Sequence, residues 1–155
     1  ERTTSQQHNW ILFRYAEILL NYAEAMVNAY GDPDYTGSYS LSARDAVNQV
    51  RNRGDVKMPA YPTDMKKDAF LKRLRNERRV EFAFEGQRFW DLRRWKELDN
   101  MQNIYKVKVV KQTDGTIQYT KVLHATYNIQ DKMYFYPISN TELFKNHKLV
   151  QNTGW

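Results

Sequence analysis

The segment Glu77–Trp95, ERRVEFAFEGQRFWDLRRW, constrains the fold more than any other because it places charged residues where a helix buries hydrocarbon. When the chain is wound at about 100° per residue, Leu74, Phe89 and Leu92 fall on one narrow stripe of a helix. The same stripe carries three charged residues at spacings of three and four: Arg78, Glu81 and Glu85. An unpaired ion removed from water costs several kcal/mol, so the sequence predicts that these charges are paired.

Two interpretations of this charged cluster are open. In the first, arginines neutralise the glutamates in a partly buried ion network that has only a structural role. We expect Arg78 to be mostly buried, within salt-bridge distance of Glu81, Glu85 or a carboxylate of the first helix. The predicted network consists of Arg78, Glu81, Glu85, Arg88 and Asp91.

In the second interpretation, Glu81 and Glu85 are the acid and base of a glycoside hydrolase, which holds two carboxyl groups beside the bond that is cleaved. The catalytic acid must have a raised pKa, whereas neighbouring arginines keep both carboxylates ionised. The sequence therefore predicts no catalytic residues and a protein that is not an enzyme.

No cofactor and no metal site is predicted either. The chain has no cysteine, which excludes thiolate catalysis and cysteine metal ligands within it. His8, His124 and His147 are far apart in the sequence and have none of the spacings of a local metal site. The sequence also lacks a phosphate-binding glycine loop and a nucleophile elbow.

The net charge of +6 raises the question of nucleic acid, which basic surfaces bind through counterion release. Most of the arginines, however, are interleaved with glutamates between Arg75 and Arg94. Lys106, Lys108 and Lys111 alternate along a predicted strand and are expected to form a solvated face. We therefore expect no nucleic-acid partner.

Helical spacing of apolar residues predicts two helices in the first third of the chain. The first follows His8 and stops at Gly31, where glycine ends the apolar pattern. The second opens with a capping box formed by Ser42 and Asp45 and ends at Gly54.

A longer helix is predicted from near Thr63 to Glu85, with a kink at Gly86 and a continuation through Arg94. Beyond it the pattern alternates, which predicts a small β-hairpin with its turn at 113–115. The C-terminal segment is expected to be irregular, with one short helix opened by Ser139. The predicted fold class is mainly α, and residues 1–155 are expected to form a single domain.

Aromatic side chains are the only feature of the residues themselves that indicates a ligand, because rings stack on the apolar faces of sugars. Tyr35 and Tyr39 lie in the loop after the first helix, where periodicity does not explain them, and Trp10 is a weaker candidate. Core positions are expected for the aromatic residues that follow helical spacing, which are Tyr22, Phe82, Phe89, Trp90 and Trp95.

Three stretches together resemble the SusD/RagB family of outer-membrane nutrient-binding lipoproteins. The first is Glu77–Trp95, the second is Arg14–Met26, RYAEILLNYAEAM, and the third runs from Lys132 to Trp155 with YFYPI and QNTGW. The resemblance implies a tetratricopeptide-like α-α superhelix, and it implies that the chain is the C-terminal portion of a longer protein. The family's ligand site is built largely upstream of these stretches, so no family ligand residue is carried onto this sequence.

The same resemblance implies a surface-exposed lipoprotein of the outer membrane that binds oligosaccharide, or in some members peptide. Its partner would be a SusC-like TonB-dependent transporter. The chain has no run of about eighteen apolar residues, so contact with the membrane is expected only through a lipid anchor upstream of Glu1. The alternative function is a tetratricopeptide-like scaffold that binds a protein or peptide in a helical groove.

Overall fold

The computed structural model describes residues 11–54 and 56–155. The helices in this part of the chain are α1 (Tyr15–Tyr30), α2 (Ala43–Arg51), α3 (Lys67–Glu81), α4 (Gln87–Arg94) and α5 (Asn140–Lys145). Two strands, β1 (Asn103–Lys111) and β2 (Ile117–Thr126), pair in antiparallel fashion, and short 3-10 turns lie at Leu98–Met101 and Asp131–Tyr134. The predicted mainly α fold with one β-hairpin is confirmed.

Contacts within the chain group into two compact units, an N-terminal unit that ends at Ala83 and a C-terminal unit, Phe84–Trp155. In the N-terminal unit, α1 stops at the predicted glycine: Gly31 has a φ of 76°, and its N–H donates to the carbonyl of Val27 at 2.9 Å. The capping box of α2 is also confirmed, because Ser42 and Asp45 exchange side-chain and backbone hydrogen bonds.

The core of the N-terminal unit lies between α1, α2 and α3. Small residues allow α1 and α2 to approach closely, since Ala23 faces Ala43 and Ala46 in the same buried cluster. Larger apolar side chains fill the remaining space: Leu19, Leu20, Met26, Val27, Val47, Val50, Tyr61, Phe70, Leu74 and Phe82. These residues give the unit a continuous hydrophobic core.

The predicted long helix with a kink at Gly86 is wrong. α3 begins at Lys67 and ends at Glu81, and α4 begins at Gln87, so the residues between them are not helical. Phe84 has a φ of 66° and Gly86 a φ of 78°, both in the left-handed region. Two left-handed residues this close together interrupt the right-handed helix, which produces two helices in place of one bent helix.

The C-terminal unit, all of which is described, has a much thinner core than the N-terminal unit. Its fully buried apolar side chains are Leu92 on α4 and Leu98 in the 3-10 turn that follows. Trp155 anchors the end of the chain, because its indole N–H donates to the carbonyls of Lys132 and Phe135 at 3.0 and 3.1 Å.

The β-hairpin of the C-terminal unit turns where the sequence predicts. Asp114 accepts hydrogen bonds from the N–H and hydroxyl of Thr116, and Gly115 has a φ of 88°. Lys106 and Lys108 share one face of β1, as expected, but Lys111 lies at an odd position and belongs to the opposite face. The predicted face of three lysines is therefore wrong for Lys111.

Among the residues that the structure describes, no helix has both the length and the apolar character needed to cross a membrane.

Candidate functional site

The loop that joins α1 to α2 gathers exposed aromatic side chains at one edge of the N-terminal unit. It contains Tyr35 and Tyr39, the two ligand-contact candidates predicted from the sequence. A buried proline holds the loop to the unit, because Pro33 is fully buried and its carbonyl accepts the N–H of Arg44 at 3.0 Å. Further along the loop, the N–H of Tyr39 donates to the carbonyl of Thr36 at 2.8 Å.

Tyr30, the last residue of α1, completes the aromatic group. Its ring stacks on that of Tyr35 with centroids 4.2 Å apart and planes 23° apart. Its hydroxyl lies 3.2 Å from the hydroxyl of Tyr39, and this hydrogen bond raises the pKa of the Tyr30 phenol. We call Tyr30, Tyr35 and Tyr39 the tyrosine cluster; they are 43%, 38% and 47% exposed, respectively.

A fourth tyrosine supports the cluster from below. The ring of Tyr22 meets that of Tyr39 edge-on at 6.4 Å, and its hydroxyl donates to the carbonyl of Leu41 at 2.6 Å. Gly37 lies directly against the Tyr35 ring: a Cβ atom at position 37 would be 2.5 Å from the Tyr35 hydroxyl oxygen. The glycine therefore leaves the space that Tyr35 occupies.

Arg44 on α2 fixes the loop electrostatically. Its guanidinium is buried and makes two hydrogen bonds to the carboxylate of Asp34, from Nε to Oδ1 at 2.6 Å and from Nη2 to Oδ2 at 2.9 Å. It also donates to the carbonyls of Pro62, Thr63 and Met65. These bonds hold the pKa of Asp34 below its usual range and tie the residue next to Tyr35 to the linker that precedes α3.

The tyrosine cluster offers chemistry suited to a sugar. Its half-exposed rings present apolar faces, and its hydroxyls can donate and accept hydrogen bonds. The carboxylate of Asp34 is half exposed beside Tyr35, so it adds an acceptor for sugar hydroxyls. A cluster of this size supplies a contact for a ligand but does not enclose one.

The structure brings together the sequence-predicted candidates Tyr35 and Tyr39, whereas Trp10 lies outside the described residues. The sequence interpretation missed Tyr30, because its place in the helical pattern of α1 does not show that the following loop returns to its ring. Arg44 was also missed, because it lies within an otherwise apolar helix edge and no sequence pattern singles it out.

The arginines that pair with Glu81 differ from the expected ones. Glu81 pairs with Arg14, which precedes α1, at 2.8 Å, and with Arg53, which follows α2, at 2.7 Å. Burial alone would raise the pKa of Glu81, but the hydrogen bonds from Arg53 and Arg14 outweigh it and lower the pKa. Arginines from other elements, and not those of its own helix, therefore keep this carboxylate ionised.

Arg78 is 3% exposed and reaches α1. Its Nη1 donates to Oδ1 of Asn21 at 2.6 Å, and its guanidinium lies 5.2 Å from the centre of the Phe82 ring. Glu77, which the sequence interpretation did not single out, joins a second network: its Oε2 accepts from Arg51 at 2.5 Å and from the Tyr61 hydroxyl at 3.2 Å. Burial raises the pKa of the Tyr61 phenol.

The remaining members of the predicted network belong to the C-terminal unit. Asp91 is buried and accepts hydrogen bonds from Arg94, with an Nη2 to Oδ1 distance of 2.9 Å. Glu85 is exposed and Arg88 is half-buried, and both make contacts of their own. The five predicted residues are thus divided between the two units.

Most of the aromatic residues expected in the core are at least half-buried, but Trp90 is 55% exposed. Its indole contacts the rings of Phe89 and Tyr136 on the surface of the C-terminal unit. No group of histidine and carboxylate side chains that could hold a metal ion occurs among residues 11–54 and 56–155.

The sequence model of the SusD family matches residues 1–155. A SusD-like protein of Formosa agariphila is 37% identical over 90 residues, which are 54% of this chain and 16% of that protein. A crystal structure of a SusD-like protein from Bacteroides fragilis superposes with a TM-score of 0.77 at 34% identity.

The superposition covers 95% of this chain and 26% of the Bacteroides protein, so the chain spans only a fraction of the length of both relatives. The solved relative has the tetratricopeptide-like helical fold of SusD-like proteins. The similarity therefore confirms the predicted tetratricopeptide-like fold class.

Proposed function

The chain belongs to the SusD family over its whole length, and from this membership we propose that the protein containing it binds oligosaccharide without cleaving it. The bound sugar would then pass to a SusC-like TonB-dependent transporter. Proteins of this family serve carbohydrate-binding nutrient uptake in general and are binding proteins rather than enzymes. The family match over residues 1–155 is the observation that carries the proposal.

The tyrosine cluster supports this function with a contact of suitable chemistry. We propose that Tyr30, Tyr35 and Tyr39 touch the rim of the bound sugar, while most of its site is built by a preceding part of the protein. The small number of rings limits the energy gained from stacking. Hydrogen bonds to the sugar add little net binding energy, because the sugar hydroxyls are already hydrogen-bonded to water. We expect an affinity on the order of micromolar to millimolar for the whole site.

The electrostatics of Glu81 argue against a catalytic role for this carboxylate. A glycosidase acid has a raised pKa so that it can protonate the leaving group. The pKa of Glu81 is lowered by two guanidiniums, which removes it from that role. We propose that the charged residues of α3 hold the fold together.

The location of the protein follows from the same family membership. We propose that the chain is the C-terminal portion of a surface-exposed outer-membrane lipoprotein whose lipid anchor lies upstream of Glu1. The length of the relatives supports only the first part of this proposal, that the chain is a portion of a longer protein, because it corresponds to 26% of the solved SusD-like protein.

Calorimetric titration of the intact protein with a panel of oligosaccharides tests the proposal. The wild type should bind at least one oligosaccharide, and Tyr35→Ala combined with Tyr39→Ala should weaken binding by about tenfold without abolishing it. Tyr15→Ala removes an exposed tyrosine of α1 and is the control that should leave the affinity unchanged.

Two results would contradict the proposal in different ways. Complete loss of binding in the double variant would place the main site on this chain and not upstream of it. Binding of peptides and of no sugar would favour the tetratricopeptide-like scaffold.

A further inference from the structure

The β-hairpin of the C-terminal unit presents an apolar face to solvent. Its antiparallel register places Tyr105 opposite Leu123, Val109 opposite Tyr119, and Lys111 opposite Ile117, so these side chains share one face. Val107 lies opposite Lys121 on the same face, and the Lys121 ammonium is 4.0 Å from the centre of the Tyr105 ring. We call this surface the apolar hairpin face.

The apolar hairpin face is exposed along its whole length. Its six large apolar side chains are 49–68% exposed: Tyr105, Val107, Val109, Ile117, Tyr119 and Leu123. On the polar face, Val110 and Val122 are half-buried between Lys106, Lys108, Gln118 and Thr120. An exposed apolar patch of this kind is typical of a surface that contacts another part of the protein, a partner or a ligand.

The C-terminal unit would gain stability from such a cover. A two-stranded hairpin is marginally stable in water unless one face packs on something. The unit has 72 residues, from Phe84 to Trp155, and fully buries only Leu92 and Leu98 among its large apolar side chains. Apolar surface gains free energy when it leaves water, so covering the hairpin would stabilise the unit.

The length of the relatives indicates a source for the cover of this face. The stretch seen here superposes over 95% of its length on a SusD-like protein and yet accounts for 26% of that chain. About three quarters of a protein of that size is therefore available to pack on this unit. A cover that belongs to the same chain also avoids the entropic penalty of bringing two molecules together.

The charge of the hairpin argues against a second copy of the chain as the cover. Residues 103–126 contain four lysines and one aspartate, so two hairpins placed face to face would repel each other. Lys111 and Lys121 lie on the apolar face itself. The surface that fits is apolar with carboxylates at its border.

We infer that the apolar hairpin face docks on the part of the protein that precedes Glu1 and forms an internal contact of the longer chain. This inference rests on the proposal that the chain is a C-terminal portion, and it does not depend on which ligand the protein binds. The contact would tie residues 103–126 to the upstream part through hydrophobic burial, and Lys111 and Lys121 would pair with carboxylates there.

Cysteine labelling of the intact protein tests the inference, because this stretch contains no native cysteine. Tyr119→Cys places a thiol on the apolar hairpin face, and Thr120→Cys places one on the polar face next to it. The wild type labelled in parallel reports any thiol outside this stretch. Val107→Cys and Lys108→Cys make the same comparison on β1 should Tyr119→Cys not fold.

We expect a maleimide to label the Tyr119→Cys variant at least about tenfold more slowly than the Thr120→Cys variant, since only opening of the contact exposes the thiol. Equal rates at the two positions would overturn the inference. Protection that disappears on dilution would overturn it in favour of a second copy. Protection that arises only after an oligosaccharide or a purified SusC-like transporter is added would overturn it in favour of an external partner.

The labelling result and the calorimetric result are independent. A protein that binds no oligosaccharide and still protects Tyr119→Cys would refute the proposed function and leave the docking surface standing. A protein that binds oligosaccharide and is labelled equally fast at both positions would support the proposed function and refute the docking surface.

Discussion

At the scale of single residues, the ion pairs of Asp34, Glu77 and Glu81 in the N-terminal unit each join two different segments of the chain. Glu81 at the end of α3 forms ion pairs with Arg14 and Arg53, and Glu77 one turn earlier forms an ion pair with Arg51. Asp34 in the loop forms an ion pair with the buried Arg44. Each of these pairs joins two segments that are distant in sequence, so the ion pairs fix how the segments pack.

The lowered pKa of Glu81 predicts how stability responds to acid. A carboxylate whose folded pKa lies below its ordinary value of 4.5 stabilises the fold above that pH, and the contribution is lost as the pH falls through the folded pKa. Glu81→Gln should therefore lower the denaturation midpoint of the intact protein at pH 7 and have a smaller effect at pH 3. An equal difference between variant and wild type at both pH values would contradict this account.

Arg78 is predicted to contribute more to stability than its neighbour Arg79. Arg78→Ala removes a buried charged hydrogen bond to Asn21 and the packing on Phe82, which should cost roughly 2–4 kcal/mol of unfolding free energy. Arg79 is exposed, so Arg79→Ala should change stability by less than about 0.5 kcal/mol. Denaturant titration of the two variants makes the comparison, and equal losses would remove the special role of Arg78.

Gly37 is predicted to hold the tyrosine cluster in place by its lack of a side chain. Gly37→Ala would put a Cβ atom 2.5 Å from the Tyr35 hydroxyl, so the Tyr35 ring must shift from its position against Tyr30. We expect oligosaccharide affinity to fall by about threefold to tenfold in calorimetry, which corresponds to one aromatic contact. Gly115→Ala, at a left-handed position with open space in the hairpin, is the control; an equal loss there would contradict a local effect.

The candidate site could be predicted only in part from the sequence. Tyr35 and Tyr39 stand out because no helical or strand period accounts for them. Tyr30 and Arg44 do not stand out, because each lies within a helix and its role depends on a loop that folds back over it. Contacts between a helix and a returning loop are set by tertiary structure, which sequence periodicity does not record.

At the scale of elements, the break between α3 and α4 is the feature that periodicity misrepresents. Leu74, Phe89 and Leu92 fall on one calculated stripe, yet they belong to two helices separated by Phe82–Gly86. A helical period can continue in the sequence across a short break, because side-chain spacing carries no information about φ. Two helix boundaries were predictable, the end of α1 at Gly31 and the Ser42 capping box of α2, because both depend on local chemistry.

Gly86 is predicted to maintain this break by its backbone conformation alone. Its φ of 78° is left-handed, and no atom lies within 4 Å of where a Cβ would be, so Gly86→Ala adds strain without a clash. We expect a loss of about 1–2 kcal/mol in unfolding free energy. Gly54→Ala, in equally open space but outside the left-handed region, should be neutral or slightly stabilising. Equal effects of the two substitutions in denaturant titration would contradict the assignment.

At the scale of the whole molecule, the two units differ in how much hydrophobic core they contain. The N-terminal unit has a continuous core between α1, α2 and α3. The C-terminal unit leaves most of its large apolar side chains exposed, including those of the apolar hairpin face. The family model matches the whole of this chain, but the chain spans only part of the length of its relatives. A thin core in one unit agrees with a chain that is part of a longer protein.

Family membership could be predicted from three sequence stretches, whereas the site of the ligand could not. The signature Glu77–Trp95 contributes α3, α4 and the break between them, which are structural elements. Those residues identify the family because they build its scaffold. We propose that most of the residues that select a ligand lie upstream.

The central claim, that the intact protein binds an oligosaccharide without cleaving it, is tested most directly by equilibrium dialysis with an end-labelled oligosaccharide followed by sizing of the recovered sugar. We predict that label accumulates on the protein side and that all of it is recovered at its original chain length. Recovery of shortened products in the wild type, with loss of those products in Glu81→Gln or Glu85→Gln, would contradict the claim.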